Sequence, residues 1–224
     1  MGLEPSGPGA RAQILATEHW SLLATRSTAQ AEVLTRITIL LTFVSATTVS
    51  LALVGQATDF DGRFDTFAIV LLCLLWLVGL MTLARVANAS EEDMALVIGM
   101  NRLRAAYTEL DPDLAPYFVA SRYDDYAGVL STYNFFRAVP LMHGLGSAGA
   151  LIIVVDSAVA GVLAAVVAGA AGATTGWILL VGVLVTPMVS AVLLLPAVKR
   201  YARIQREYQP MYPTPSEPVG PDAE

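Results

Sequence analysis

Between Ala138 and Val198 the chain carries a single residue of the charged types Asp, Glu, Lys and Arg, namely Asp156. A carboxyl group set in so apolar a run can take up a proton or hold a cation. At the centre of a bilayer it costs about 2.5–3.5 kcal/mol on insertion scales, so such residues face protein or water. Small residues follow it at helical spacing. Ala160, Ala164, Ala168 and Gly172 share its face, and Ser157, Gly161, Ala165, Gly169 and Ala173 form a parallel row. Small side chains every fourth position let helix backbones approach closely. Two readings of Asp156 follow. It is an ion- or proton-linked site at the end of a packing seam, or it is a structural carboxyl. The structural carboxyl lies near the cytoplasmic interface or is hydrogen-bonded to Ser190 or Thr186. A seam that packs between subunits around an axis makes a ring of carboxylates, which favours cations. A seam that packs against the last span makes Asp156 a hydrogen-bonding group inside one subunit.

Thr38, Thr42 and Ser45 also share a helix face, in an uncharged run. Their hydroxyls either line a wet path or bond to backbone carbonyls and neighbouring helices. Other patterns are weaker. Asp59, Asp61, Gly62 and Asp65 resemble part of a calcium loop but lack its bidentate Glu, so an acidic, solvated turn is expected. Gly144, Gly146 and Gly149 spell GxGxxG without the following acid of a dinucleotide site, and small residues at a span entrance explain them. His19 and His143 stand alone, His143 at the headgroup level, and Cys73 is the one cysteine. No metal site, cofactor or disulfide is expected. No nucleophile motif appears, and Asp124-Asp125 lacks the partners of a phosphatase or transferase motif, so the chain reads as a non-enzyme.

The elements that position these residues are helices that cross a membrane. Only 14% of residues are charged, where soluble domains carry about 25%. Charges are absent between Arg36 and Asp59 and over residues 66–84. Each of these gaps fits one crossing of roughly 20 residues, and the third, from 138 to 198, fits two. The expected fold is all-α: a polytopic membrane protein with four transmembrane helices, an N-terminal amphipathic helix and a cytosolic helical segment between spans two and three. Its organisation reads as a disordered leader (1–9), an amphipathic helix (10–36) and a first transmembrane hairpin (37–84). A cytosolic helical segment (85–137), a second hairpin (138–198) and a basic, then Pro-rich tail (199–224) follow. The third span lies within 142–171, the fourth at about 177–198, with a turn at 172–176. No cleavable signal peptide is seen, and the first span serves as signal anchor.

The amphipathic helix places Ala16, Trp20, Leu23, Ala31 and Leu34 near one face. It lies either in the membrane interface or packed on the rest of the protein. In the cytosolic segment Ser90 heads an acidic helix start, and Leu96, Met100, Leu103, Tyr107 and Leu110 form an apolar stripe ending at Asp111-Pro112. The stripe of Leu96, Leu103, Tyr107 and Leu110 is a candidate partner-binding face. Gly99 is the only breaker after Gly79, so span two is expected to continue through this helix to Leu110. The eight tyrosines all lie beyond residue 106 and read as an interfacial belt and packing. The tail from Gln209, with five prolines, reads as disordered. Of 13 Lys and Arg, Arg63 alone lies between spans one and two. Basic residues are retained on the cytoplasmic side, which places both termini there in a multi-pass protein of the plasma membrane. The net charge of −6 argues against nucleic acid.

Three segments carry a resemblance. His19-Trp20 with Leu22-Leu23-Ala24-Thr25-Arg26, then Gly99-Met100-Asn101-Arg102-Leu103-Arg104, and Pro116-Tyr117-Phe118-Val119 resemble an uncharacterised family of actinobacterial integral membrane proteins. The resemblance covers residues 18–133 well and the last two spans loosely. In layout the helix–span–span–helix order is also similar to SLATT-type domains, which have two spans. That similarity implies a membrane effector or pore former in bacterial conflict systems. Neither implies a catalytic residue. The expected function is a homo-oligomeric membrane protein whose spans surround a pore or ion path, in contact with membrane lipid. The alternative is a non-catalytic anchor or accessory subunit that binds a protein through its cytosolic helix, and a membrane enzyme comes third.

Overall fold

Four apolar runs free of Asp, Glu, Lys and Arg (apart from Asp156) become four helices long and apolar enough to cross a membrane. The structure, a computed structural model, describes residues 7–134 and 147–215, and the described elements are all helical. α1 (Pro8–Ala57) and α2 (Gly62–Leu110) are single long helices. A 3-10 segment (Pro112–Tyr117) and α3 (Tyr126–Tyr133) follow. α4 (Ala148–Ala170) and α5 (Thr175–Glu207) are the last described helices. The 23 residues of α4 rise roughly 34 Å, enough for a hydrocarbon core of about 30 Å. Large apolar side chains such as Phe43, Leu53, Leu77, Leu179 and Val183 are exposed on these helices. Water does not tolerate apolar surface on that scale, whereas lipid does. The chain is membrane-embedded.

The turns have local causes. Asp59 and Phe60 adopt left-handed φ of 48° and 55°. Phe60 then folds its ring where a side chain on Gly55 would stand, 2.3 Å from the Cβ position. Asp61 caps α2 by accepting from the amides of Arg63 and Phe64 and pairs with the Arg63 guanidinium. That capped, acidic turn is what stands in place of a calcium loop. Gly172, at φ +83°, ends α4. Its amide donates to the Gly169 carbonyl and that of Ala173 to Ala168, the two bonds of a Schellman stop. Pro187 and Pro196 lie inside α5, as membrane helices allow.

Two compact units result. The spanning unit comprises 30–90 and 140–204; the polar unit comprises 1–29, 91–139 and 205–224. Ile37, Leu40, Leu72, Leu75, Val86, Ile152 and Val159 form the core of the first. Val97, Met100 and Val129, with Leu22, Met94, Ile98 and Tyr133 against them, form that of the second.

α2 runs unbroken from span into polar segment, as expected. Other expectations change. Residues 10–36 are no separate interfacial helix but the first part of α1. Within the polar unit α1 packs through Leu22, whose methyl lies against Gly99, through His19 beside Tyr107, and through Arg26, paired with Asp93 at 2.7 Å. Trp20, Leu23 and Leu34 of the expected apolar face are exposed, so that face is not the one that packs on the rest of the chain. An ion pair and a histidine select the face, which hydropathy does not register. Of the leader, residues 1–6 lie outside the described residues, as do His143, Gly144 and Gly146; Gly149 falls in the first turn of α4. The tail is ordered over 208–215, as described below.

Candidate functional site

Asp156 stands about a third of the way along α4, inside the spanning unit, with 1% of its surface exposed. Its carboxylate lies over Gly79 of α2. A Cβ built on Gly79 would sit 1.7 Å from Asp156 Oδ1 and 2.6 Å from Cγ, so only glycine leaves room for the carboxylate there. Asp156 Oδ2 has no hydrogen-bond partner among the described residues, and neither do the buried Ser157 Oγ and Trp76 Nε1. Trp76 lies three residues before Gly79 on α2, hence on the same helix face. A buried charge without a partner costs several kcal/mol, and the usual remedies are a proton or a cation.

The expected partners on the last span are taken by their own helix. Thr186 donates to the Gly182 carbonyl and Ser190 to that of Thr186. Asp156 is therefore bonded to neither, because α4 turns it toward α2. The neighbouring row faces α5 instead. A side chain at Gly161 would meet Thr186 Oγ1 at 2.1 Å and the Gly182 carbonyl at 2.8 Å. Gly182 approaches Ala165, and Gly169 approaches Ile178. Ser157 is fully buried. Gly161, Ala165 and Gly169 of the seam thus pack against α5 inside one chain. Gly161→Leu is expected to unfold the α4–α5 hairpin even in a monomer, at a cost of about 3 kcal/mol. Thermal unfolding in detergent at a concentration where the protein is monomeric checks this.

Thr38, Thr42 and Ser45 donate to the carbonyls of Leu34, Thr38 and Leu41 and are exposed. They do not join Asp156, which is buried. Leu96, Leu103, Tyr107 and Leu110 are each half-buried. The deeply buried face of α2 here holds Val97, Met100, Asn101, Ala105 and Thr108, so the stripe is its flank. Tyr107 is covered by His19 and Phe118 of the same chain.

A second constellation escaped the sequence reading. Asp124 is fully buried and accepts from Arg102 Nε at 2.7 Å, from Tyr208 Oη at 2.7 Å and from the amides of Met211 and Tyr212. Burial pushes its carboxyl up, but these four donors outweigh it and hold it at about 2. Burial and the Asp124 carboxylate push the Tyr208 phenol up to about 12. Asp125 caps α3 through the Gly128 amide and also accepts from the amide and hydroxyl of Thr214. The adjacent acids are thus a clamp that fastens residues 208–215, where a disordered tail was expected. Buried Asn101 ties α2 to the loop before α3, donating to the Tyr123 carbonyl and accepting from Arg104 and Thr132.

No described group of three or more His, Cys, Asp or Glu converges on a metal position. No family profile, curated protein or solved structure matches the chain.

Proposed function

We propose that this is a non-catalytic, multi-pass protein of the plasma membrane whose activity is linked to an ion or proton taken up at Asp156. The polar unit serves as its sensing or coupling element. One observation carries the reading: the only acidic or basic residue of the last two spans is buried over Gly79 with an unpartnered oxygen. Such intramembrane carboxyls mark ion and proton paths. In the homo-oligomeric pore form of this reading, subunits meet through the exposed Thr38, Thr42 and Ser45 face of α1, since Gly161, Ala165 and Gly169 of the small-residue seam pack within the chain. Both termini are cytoplasmic, because Arg36, Arg85 and Arg200 flank the spans at the ends opposite the Arg63 turn.

Reconstitution into liposomes under a pH gradient, and separately under Na+ and K+ gradients, tests the proposal. Wild-type protein passes one of these ions, and Asp156→Asn, which keeps size and hydrogen bonding, folds alike but passes at least about tenfold less. Well-folded wild type that passes none, or an unaltered Asn variant, refutes it.

The accessory-subunit reading has one observation in its favour. Leu114, Tyr117 and Val119 leave the polar unit with apolar side chains in the open, Val119 at 83% exposure.

A further inference from the structure

The polar unit holds a cleft of ≈ 520 Å³, within the size range of small-molecule sites. Its walls come from the end of α2 (Thr108), the segment from Ala115 to Tyr123, α3 (Ala127, Gly128, Ser131) and Thr214 of the clamped tail. Part of the lining is apolar, with Ala115, Phe118, Val119 and Ala127. The lining also carries donors. Arg122 carries the only full charge in the lining, and its guanidinium bonds a neutral group, the Tyr123 hydroxyl. The amides of Val119, Ala120 and Arg122 meet no acceptor among the described residues. The acids next in sequence to Arg122 and Tyr123 are engaged elsewhere, Asp124 by Arg102 and the tail, Asp125 by Gly128 and Thr214. Arg104 is half-buried, and among the described residues it bonds the Asn101 side chain and the Ser121 carbonyl, both neutral. Burial, and after it the charge of Arg26, make the Arg104 cation easier to discharge than usual.

We propose that this cleft binds a soluble small organic anion, its carboxylate or phosphate at Arg122 and Ser131 and its apolar body against Phe118 and Ala127. Arginine and backbone amides are the donors best suited to such a group. Because Thr214 forms one wall, the site is complete only while Asp125 holds the tail, which links ligand to the end of the chain that leaves α5.

Full-length protein in detergent is titrated with phenyl phosphate and benzoate, with phenol as the uncharged analogue and inorganic phosphate as the bare anion. At least one aromatic anion at millimolar concentration raises the unfolding midpoint, while phenol does not and inorganic phosphate binds more weakly. Arg122→Gln lowers that affinity by roughly tenfold or more, and Ala127→Trp, at an exposed position that fills the cleft, abolishes binding. The proposal is overturned if neither aromatic anion acts, if phenol or inorganic phosphate acts as well, or if the effect survives both cleft variants. Repetition in nanodiscs separates a soluble ligand from a lipid headgroup: competition by anionic but not zwitterionic lipid would assign the cleft to lipid and overturn the soluble-ligand assignment.

Discussion

Gly79→Ala should destabilise the spanning unit by about 3 kcal/mol, the upper range for overpacking a tight interior. The added methyl would lie 1.7 Å from Asp156 Oδ1, and both positions are buried, so the carboxylate must leave its place or the helices must part. An interior packed like a crystal offers no slack for either. The partner of the clash can be removed. Asp156→Ala frees the space, and the double variant should recover most of the loss, giving a coupling energy of about 2 kcal/mol. Unfolding midpoints of the four proteins in one detergent measure this. Single effects that simply add would mean that the two residues do not touch.

Asp124→Ala should cost the polar unit about 3 kcal/mol and release residues 208–215. The loss leaves Arg102, the Tyr208 hydroxyl and the amides of Met211 and Tyr212 without their acceptor. Chymotryptic cleavage after Tyr208, slow in the wild type, reads the release directly. Acid should reproduce it. The folded carboxyl titrates at about 2, below the ordinary aspartate value of about 4. The clamp is therefore at full strength above pH of about 4 and fades as pH falls toward 2. Cleavage that stays slow in the Ala variant at neutral pH would mean that the tail is held by something else.

The membrane class was open to a reader of residues alone, because uncharged runs of spanning length are a strong physical signal and packing cannot hide them. Asp156 was open for the same reason, as a lone charge in such a run. What faces it was not. Gly79 reads as a weak helix breaker until α4 is laid on α2, and a contact between residues 77 positions apart leaves no periodic trace. The seam of Gly161, Ala165 and Gly169 was visible as a close-approach surface, yet small residues say that something comes near without saying what. In the polar unit hydropathy misplaced the buried faces. Asn101 and Thr108 are polar but buried with satisfied hydrogen bonds, and Arg26 packs by pairing with Asp93, whereas Trp20 and Leu23 are apolar but exposed. The clamp joined Asp124 to Tyr208, Met211 and Tyr212 across a Pro-rich stretch, and composition made that stretch look unstructured.

The uptake of an ion or proton at Asp156 can be watched at the carboxyl group itself. The infrared spectrum of the protein in liposomes is recorded as pH is stepped, and then as Na+ or K+ is added at constant pH, and the spectrum of Asp156→Asn is subtracted. No other Asp, Glu, Lys or Arg stands in the uncharged runs of the spans, so the carboxyl bands that remain belong to this residue. An ion-linked Asp156 gives a difference band that moves or changes intensity with one of the ions supplied, and Gly79→Ala alters that band. A carboxyl signal that stays constant through every step would contradict the proposed function and leave Asp156 a packing residue over Gly79.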